Sequence, residues 1–196
     1  MRSFFLLFFL IFSIGSIHAE NLKPSKGIIA TSNPHASKAA YEVIKNGGNA
    51  IDASIAVQLV LTLTEPQATG IGGGAFMLYW DANKSKLFSI DGREKAPSLA
   101  SEDLFLNKDG KKIKFYPDAV VGAKSVGVPG IIRLLEETHK KFGKLEWSKL
   151  FTYAIELSEN GFSISPALHN TLGYLNYLKT IEPAASLYYK KNIKGE

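Results

Sequence analysis

The stretch GGNAIDASIAVQLVLTLTEP, residues 47–66, decides the fold. Its paired glycines, Gly47 and Gly48, stop whatever helix precedes them, as glycine does at a helix C-terminus. Asn49 follows as a residue that caps the start of a new helix with its side-chain oxygen. Ala50 to Leu63 is then apolar nearly all round, interrupted only by Asp52, Ser54, Gln58 and Thr62. A helix without a polar face belongs inside a protein, covered by other elements. Glu65-Pro66 ends it, because proline restricts the residue before it to extended backbone.

On the N-terminal side of this helix, His35 to Asn46 carries Ala36, Ala39, Ala40, Val43 and Ile44 at helical spacing, and Asn33-Pro34 turns the chain into it. Gly27 to Thr31 reads as a short buried strand. On the C-terminal side, Gly70 to Gly74 is a glycine loop. Ala75 to Trp80 and Lys86 to Asp91 form a hairpin around a turn at Asp81 to Ser85. Gly92 to Ala100 is a loop, Ser101 with Glu102 and Asp103 starts a short helix, and Lys108 to Tyr116 is a polar excursion. Pro129 opens a helix that ends at Phe142 before Gly143. Trp147 to Glu159 and Ala167 to Leu178 are two more. The order of strand, helices, hairpin and helices predicts a mixed α/β layout, with strands stacked on long helices and no internal repeat. Ile181 to Glu196 reads as the beginning of a loop, so the chain is expected to be a piece of a larger protein.

The first residues differ in kind. Arg2 precedes an unbroken apolar run, Phe4 to Ile14, and small residues follow through Ala19. Positive, apolar, small is the order of a secretory signal, and the run is shorter than the roughly 20 residues that cross a bilayer. The expected domains are therefore a signal peptide, 1–19, and an exported segment, 20–196. Cleavage falls after Ala19, with Ala30 as a second position. About 175 residues remain, enough for one core. Cysteine is absent, which removes thiol catalysis, thiolate metal sites and disulfides.

Net charge is +5. The lysines gather at Lys108–Lys114 and Lys190–Lys194, without the interleaved aromatics of a nucleic-acid groove, so they read as solvated loops and no nucleic-acid partner is expected. Gly70-Ile-Gly-Gly-Gly-Ala75 matches the dinucleotide pattern as text. That site needs a strand before the loop and a helix after it, and here the order is reversed. The histidines, His18, His35, His139 and His169, form no paired ligand motif. Glu136 and His139 make half of a di-iron helix pattern, and no metal is expected. No serine stands in a nucleophile elbow; Ser125 has nearby glycines at the wrong spacing. Asn83-Lys84-Ser85 is a formal glycosylation sequon on a turn.

The stretch Asp91-Gly92-Arg93-Glu94-Lys95-Ala96-Pro97 carries more. It sets an arginine just past a strand end, where a planar guanidinium can hold a carboxylate through two hydrogen bonds. Glu94 either orients it or pairs with Lys95; the bland alternative is a surface ion pair of little energy.

The blocks Gly47-Gly-Asn-Ala-Ile-Asp-Ala53, Glu65-Pro-Gln67, Gly72-Gly-Gly-Ala-Phe-Met77, Asp91 to Pro97 and Gly127-Val-Pro-Gly130, in this order, resemble the gamma-glutamyltranspeptidase family. The resemblance covers most of the segment after the signal. It implies an N-terminal nucleophile hydrolase with a four-layer α/β/β/α sandwich, of which this chain is the front of the large subunit. It implies cleavage of the gamma-glutamyl amide of glutathione and related compounds, with the acyl group passing to water, an amino acid or a peptide. The precursor would cut itself, and a threonine at the new terminus of the small subunit would act as nucleophile with its own amine as base. That threonine block is absent here, so no catalytic residue is expected in this chain, and no cofactor. Arg93 is the substrate-binding residue implied, holding the α-carboxylate, with Glu94 supporting it from behind. The protein would act in the periplasm or outside the cell. A cephalosporin or glutaryl acylase-like amidase, which also takes a carboxylated acyl group, and a non-catalytic exported remnant remain as alternatives.

Overall fold

The computed structural model describes residues 27–189. The stretch read as a signal peptide, 1–19, and the Lys190–Lys194 cluster lie outside the described residues. Six α-helices and one β-hairpin make up the described part: α1 (Pro34–Lys45), α2 (Ala50–Thr64), β1 (Ala75–Asp81), β2 (Lys86–Gly92), α3 (Ile131–Phe142), α4 (Thr152–Asn160), α5 (Pro166–Tyr174) and α6 (Ala184–Tyr188).

Helices α1 and α2 pair closely because the facing positions are small: Ala36, Ala39, Ala40, Ala53 and Ala56 are all buried. The turn between them needs a left-handed residue, and Gly47 supplies it at φ +90°. Asn49 caps α2 by accepting from the Ile51 and Asp52 amides, and Asp52 completes the capping box by accepting from Asn49 N at 2.9 Å. Asp52 is fully buried. It also accepts from Lys144 N through both oxygens, each at 3.1 Å, and from Leu145 N at 3.3 Å, which ties the start of α2 to the segment after α3. At the other end of α2, Glu65 is buried and accepts from Asn33 Nδ2 at 2.8 Å and Gln67 Nε2 at 2.7 Å.

Strands β1 and β2 run antiparallel in the register Phe76↔Asp91, Leu78↔Ser89, Trp80↔Leu87. The Asp81 side chain shapes the turn by accepting from Asn83 N and Lys84 N. One face of the hairpin, with Met77, Tyr79 and Ile90, packs on the helical core. Tyr79 and Phe88 both lean on Phe142 at the end of α3, ring centres 4.8 and 4.9 Å away. The opposite face, with Phe76, Leu78, Trp80 and Leu87, is exposed. The described part is thus one helical layer on one side of a sheet layer.

Several expectations are corrected. Residues 27–31 belong to no strand and pair with none among the described residues, and Ile28 is 91% exposed. An apolar run makes a buried strand only where a partner strand lies beside it. No helix starts at Ser101: residues 102–105 are a turn, followed by a bridge between Leu106 and Lys112. Ile44 points outward at 40% exposure. Pro129 precedes the cap of α3, which is Gly130. The helix expected over Trp147–Glu159 begins as a 3-10 turn, Trp147–Phe151, and becomes α4 only afterwards. The last expected helix ends at Tyr174, a 3-10 turn follows over Asn176–Thr180, and α6 lies in the segment read as loop.

Between Lys95 and Val128 the chain makes a long excursion, closed at its neck by two backbone bonds: Lys95 N to Val128 O at 3.2 Å and Val128 N to Lys95 O at 2.8 Å.

Candidate functional site

Three separate stretches converge where β2 ends. The neck joins the residues after β2 to those before α3. The first amides of α3 then turn to the glycine loop: Gly130 N and Ile131 N both donate to Gly73 O, at 3.1 and 3.2 Å. In this mesh backbone, together with the Glu94 and Leu134 side chains, presses on the glycines and leaves no space for a further side chain. A Cβ on Gly74 would stand 2.7 Å from Gly92 O and 2.8 Å from Glu94 N; one on Gly130 would stand 2.3 Å from Gly92 O and 2.8 Å from Arg93 O; one on Gly92 would strike Leu134 at 2.6 Å. This is the physical reason for three glycine-rich motifs so far apart in sequence.

Arg93 sits on this mesh. Its amide donates to Asp91 Oδ1 at 2.8 Å. Exposure alternates along Asp91, Arg93 and Lys95, which are open, and Gly92 and Glu94, which are covered. Arg93 Nε lies 3.4 Å from Glu94 Oε2, and the arginine side chain is 69% exposed. Glu94 Oε2 is shielded from solvent and has no hydrogen-bond donor in the structure. Beside Arg93 a hollow of about 340 Å³ is lined by Lys95, Pro129, Arg133 and Glu137 among others. Arg133 pairs with Glu137 at 3.0 Å. Arg93 Nε thus lies beside Glu94 while most of the side chain stays open to solvent, and a guanidinium so exposed can meet a planar anion such as a carboxylate.

The other sequence candidates do not join this site. The glycine loop leads into β1, and the α3 amides that could have faced a phosphate are taken by Gly73 O. His139 Nε2 meets Leu145 O at 2.8 Å and lies 3.7 Å from buried Asp52. His35 Nδ1 reaches Tyr153 Oη at 3.5 Å. Glu136 is engaged by Lys140 at 2.6 Å. Among the described residues, no three His, Asp or Glu side chains gather in a metal-binding group. Ser125 Oγ donates to the Val120 and Gly122 carbonyls.

Sequence reasoning passed over Glu65, read only as a helix stop. Burial is the largest single influence on its carboxyl and raises it. Hydrogen bonds from Asn33, Gln67 and Ser165 together outweigh burial and hold the carboxyl below its ordinary value. Glu65 O also accepts from the Ala68 and Thr69 amides, at 3.0 and 2.9 Å, which anchors the approach to the glycine loop. An acid next to a proline at a helix end, with amides on either side, was the available signal.

Comparison with known proteins adds four likenesses. A family model described as Gamma-glutamyltranspeptidase matches residues 36–194. Over 164 residues the chain is 42% identical to the glutathione hydrolase proenzyme of Bacillus subtilis; the match covers 77% of this chain and 28% of that protein. The crystal structure of the gamma-glutamyltranspeptidase of Helicobacter pylori superposes with a TM-score of 0.78 at 35% identity, over 85% of this chain and 47% of that one. The cephalosporin acylase of Bacillus halodurans superposes with a TM-score of 0.62 at 32% identity, over 84% of this chain and 28% of that one. The chain therefore spans less than a third of the length of the Bacillus subtilis relative.

Proposed function

Because this chain belongs to the gamma-glutamyltranspeptidase family, we propose that it forms the front of the large subunit of a gamma-glutamyltransferase, or glutathione hydrolase. The observation that carries the reading is Arg93: an open guanidinium, backed by Glu94 and seated on a backbone mesh of three glycine-rich stretches. In this role Arg93 receives the α-carboxylate of the gamma-glutamyl group and so sets where the reacting amide lies. The reaction itself takes place on the small subunit of the same precursor. A threonine hydroxyl attacks the gamma-carbonyl, its proton passes through the threonine amine to the departing amine, and an ester to the glutamyl group remains. Water, an amino acid or a peptide then attacks that ester. Backbone amides hold the oxyanion at each step.

Export to the periplasm or beyond the cell forms part of the same proposal. It rests on Arg2, the apolar run and Ala19, and on where glutathione and other gamma-glutamyl compounds would be met.

The test uses the complete protein and a gamma-glutamyl anilide. A hydrogen-bonded charge pair contributes about 1.5–3 kcal/mol, so Arg93→Lys, which loses the planar fork, is expected to raise KM about 10- to 100-fold. An unchanged KM overturns the assignment. The likeness to the cephalosporin acylase supports a second reading, in which the carboxylated acyl group is glutaryl. Turnover of a glutaryl anilide in preference to the gamma-glutamyl one would select it.

A further inference from the structure

Arg93 depends on more than Glu94. The residue two positions before it, Asp91, is the last on the open side of β2 and stands opposite Phe76 in the hairpin register. Its Oδ1 accepts from Arg93 N at 2.8 Å, bending the chain back on itself where the strand ladder ends. Between the two lies Gly92, held against Leu134 and under Gly130. Backbone, then, is clamped before Arg93 by Asp91 and after it by the neck at Lys95. Without the Asp91 acceptor, Arg93 N has no strand partner, because the ladder stops at the pair Ala75↔Gly92, where β1 begins. The Arg93 side chain is long and mostly in solvent, so its direction depends on the backbone that launches it and on Glu94 at Nε.

We propose that Asp91 is a positioning residue for substrate binding: by accepting the Arg93 amide hydrogen it aims the guanidinium at the α-carboxylate. It acts as an acceptor, not through its charge. This inference rests on the assignment of Arg93 to that carboxylate.

The experiment uses the complete protein, with two donors: a gamma-glutamyl anilide and the 4-aminobutyryl anilide, which lacks the α-carboxylate. Asp91→Asn keeps an oxygen at Oδ1 and is expected to leave kinetics close to those of the parent. Asp91→Ala removes the acceptor. Asp91→Glu keeps the charge but carries the oxygens one methylene further along. Both are expected to raise KM for the gamma-glutamyl donor about tenfold with kcat little changed, and to leave kcat/KM for the aminobutyryl donor unaltered. Should Asp91→Ala not accumulate, Asp91→Glu alone carries the comparison. Three results would overturn the proposal. The first is an Asn variant as impaired as the Ala or Glu variant, which would make the charge the cause. The second is an equal loss on both donors, which would make the effect general to the fold. The third is Ala and Glu variants with an unchanged KM while Arg93→Lys raises it. If instead Arg93→Lys leaves KM unchanged, the assignment of Arg93 is what fails.

Discussion

Removing the Asp52 carboxylate should loosen the described part more than any other single polar substitution. The side chain is fully buried and its two oxygens serve three backbone amides: Asn49, Lys144 and Leu145. In Asp52→Ala each of these amides loses this acceptor, at about 1–3 kcal/mol apiece where it stays shielded from water. Partial access of water to the segment around Lys144 offsets some of this, so the expected cost is about 4 kcal/mol, at the top of the range for single substitutions. Against a domain stability of about 5–15 kcal/mol this is a large fraction. Asp52→Asn keeps one acceptor and opposes an amide NH2 to the other donors, for about half the loss. Amide hydrogen exchange of Lys144 and Leu145 in the complete protein reads the effect locally. An opening made easier by 4 kcal/mol exposes them about a thousandfold more often. Protection reduced less than tenfold in Asp52→Ala would refute the reasoning, since it would mean those amides have another acceptor.

Three further outcomes are expected. Glu65 has its carboxyl held below the ordinary value of 4.5, so the stability it contributes is present above that pH and is lost as pH falls through the lower folded value. Urea midpoints of the complete protein measured from pH 6 down to 3 should therefore fall less steeply in Glu65→Gln than in the parent; parallel curves would contradict this. Gly130→Ala forces a methyl against Gly92 O and Arg93 O, and should raise the donor KM as well as lower the melting temperature, with an unchanged KM as the contrary result. The exposed face of Phe76, Leu78 and Trp80 should make residues 20–196 expressed alone bind a hydrophobic dye and self-associate, and Leu78→Lys with Trp80→Lys should abolish both. Dye binding unaffected by the two lysines would locate the sticky surface elsewhere.

What could be read from the sequence is what is set locally. The stop at Gly47-Gly48, the cap at Asn49 and the all-round apolar pattern of α2 are decided within a few residues, and α1, α2, the hairpin and α3 follow as expected. The arginine past the strand end was likewise visible. What escaped depends on distant partners. The 27–31 segment has strand-like composition, but nothing within it says which strand lies alongside. Asp52 looked like an interruption because the amides it serves lie 92 and 93 residues away. The close approach of Gly74, Gly92 and Gly130 is a property of three stretches together, and each alone reads as an ordinary turn. Trp147, where the 3-10 turn starts, sits against His139 with ring centres 5.2 Å apart, a contact that periodicity does not encode.

The neck between Lys95 and Val128 has an evolutionary consequence. Because two backbone bonds close the excursion at its base, its length is nearly decoupled from the geometry of Arg93. Doubling a flexible loop adds only about 0.6 kcal/mol of closure entropy. Descendants of this chain are thus free to lengthen, shorten or replace the residues between Pro97 and Gly127 while Arg93 and the glycine mesh beneath it stay where they are. Variation and constancy are assigned to opposite sides of a single pair of hydrogen bonds.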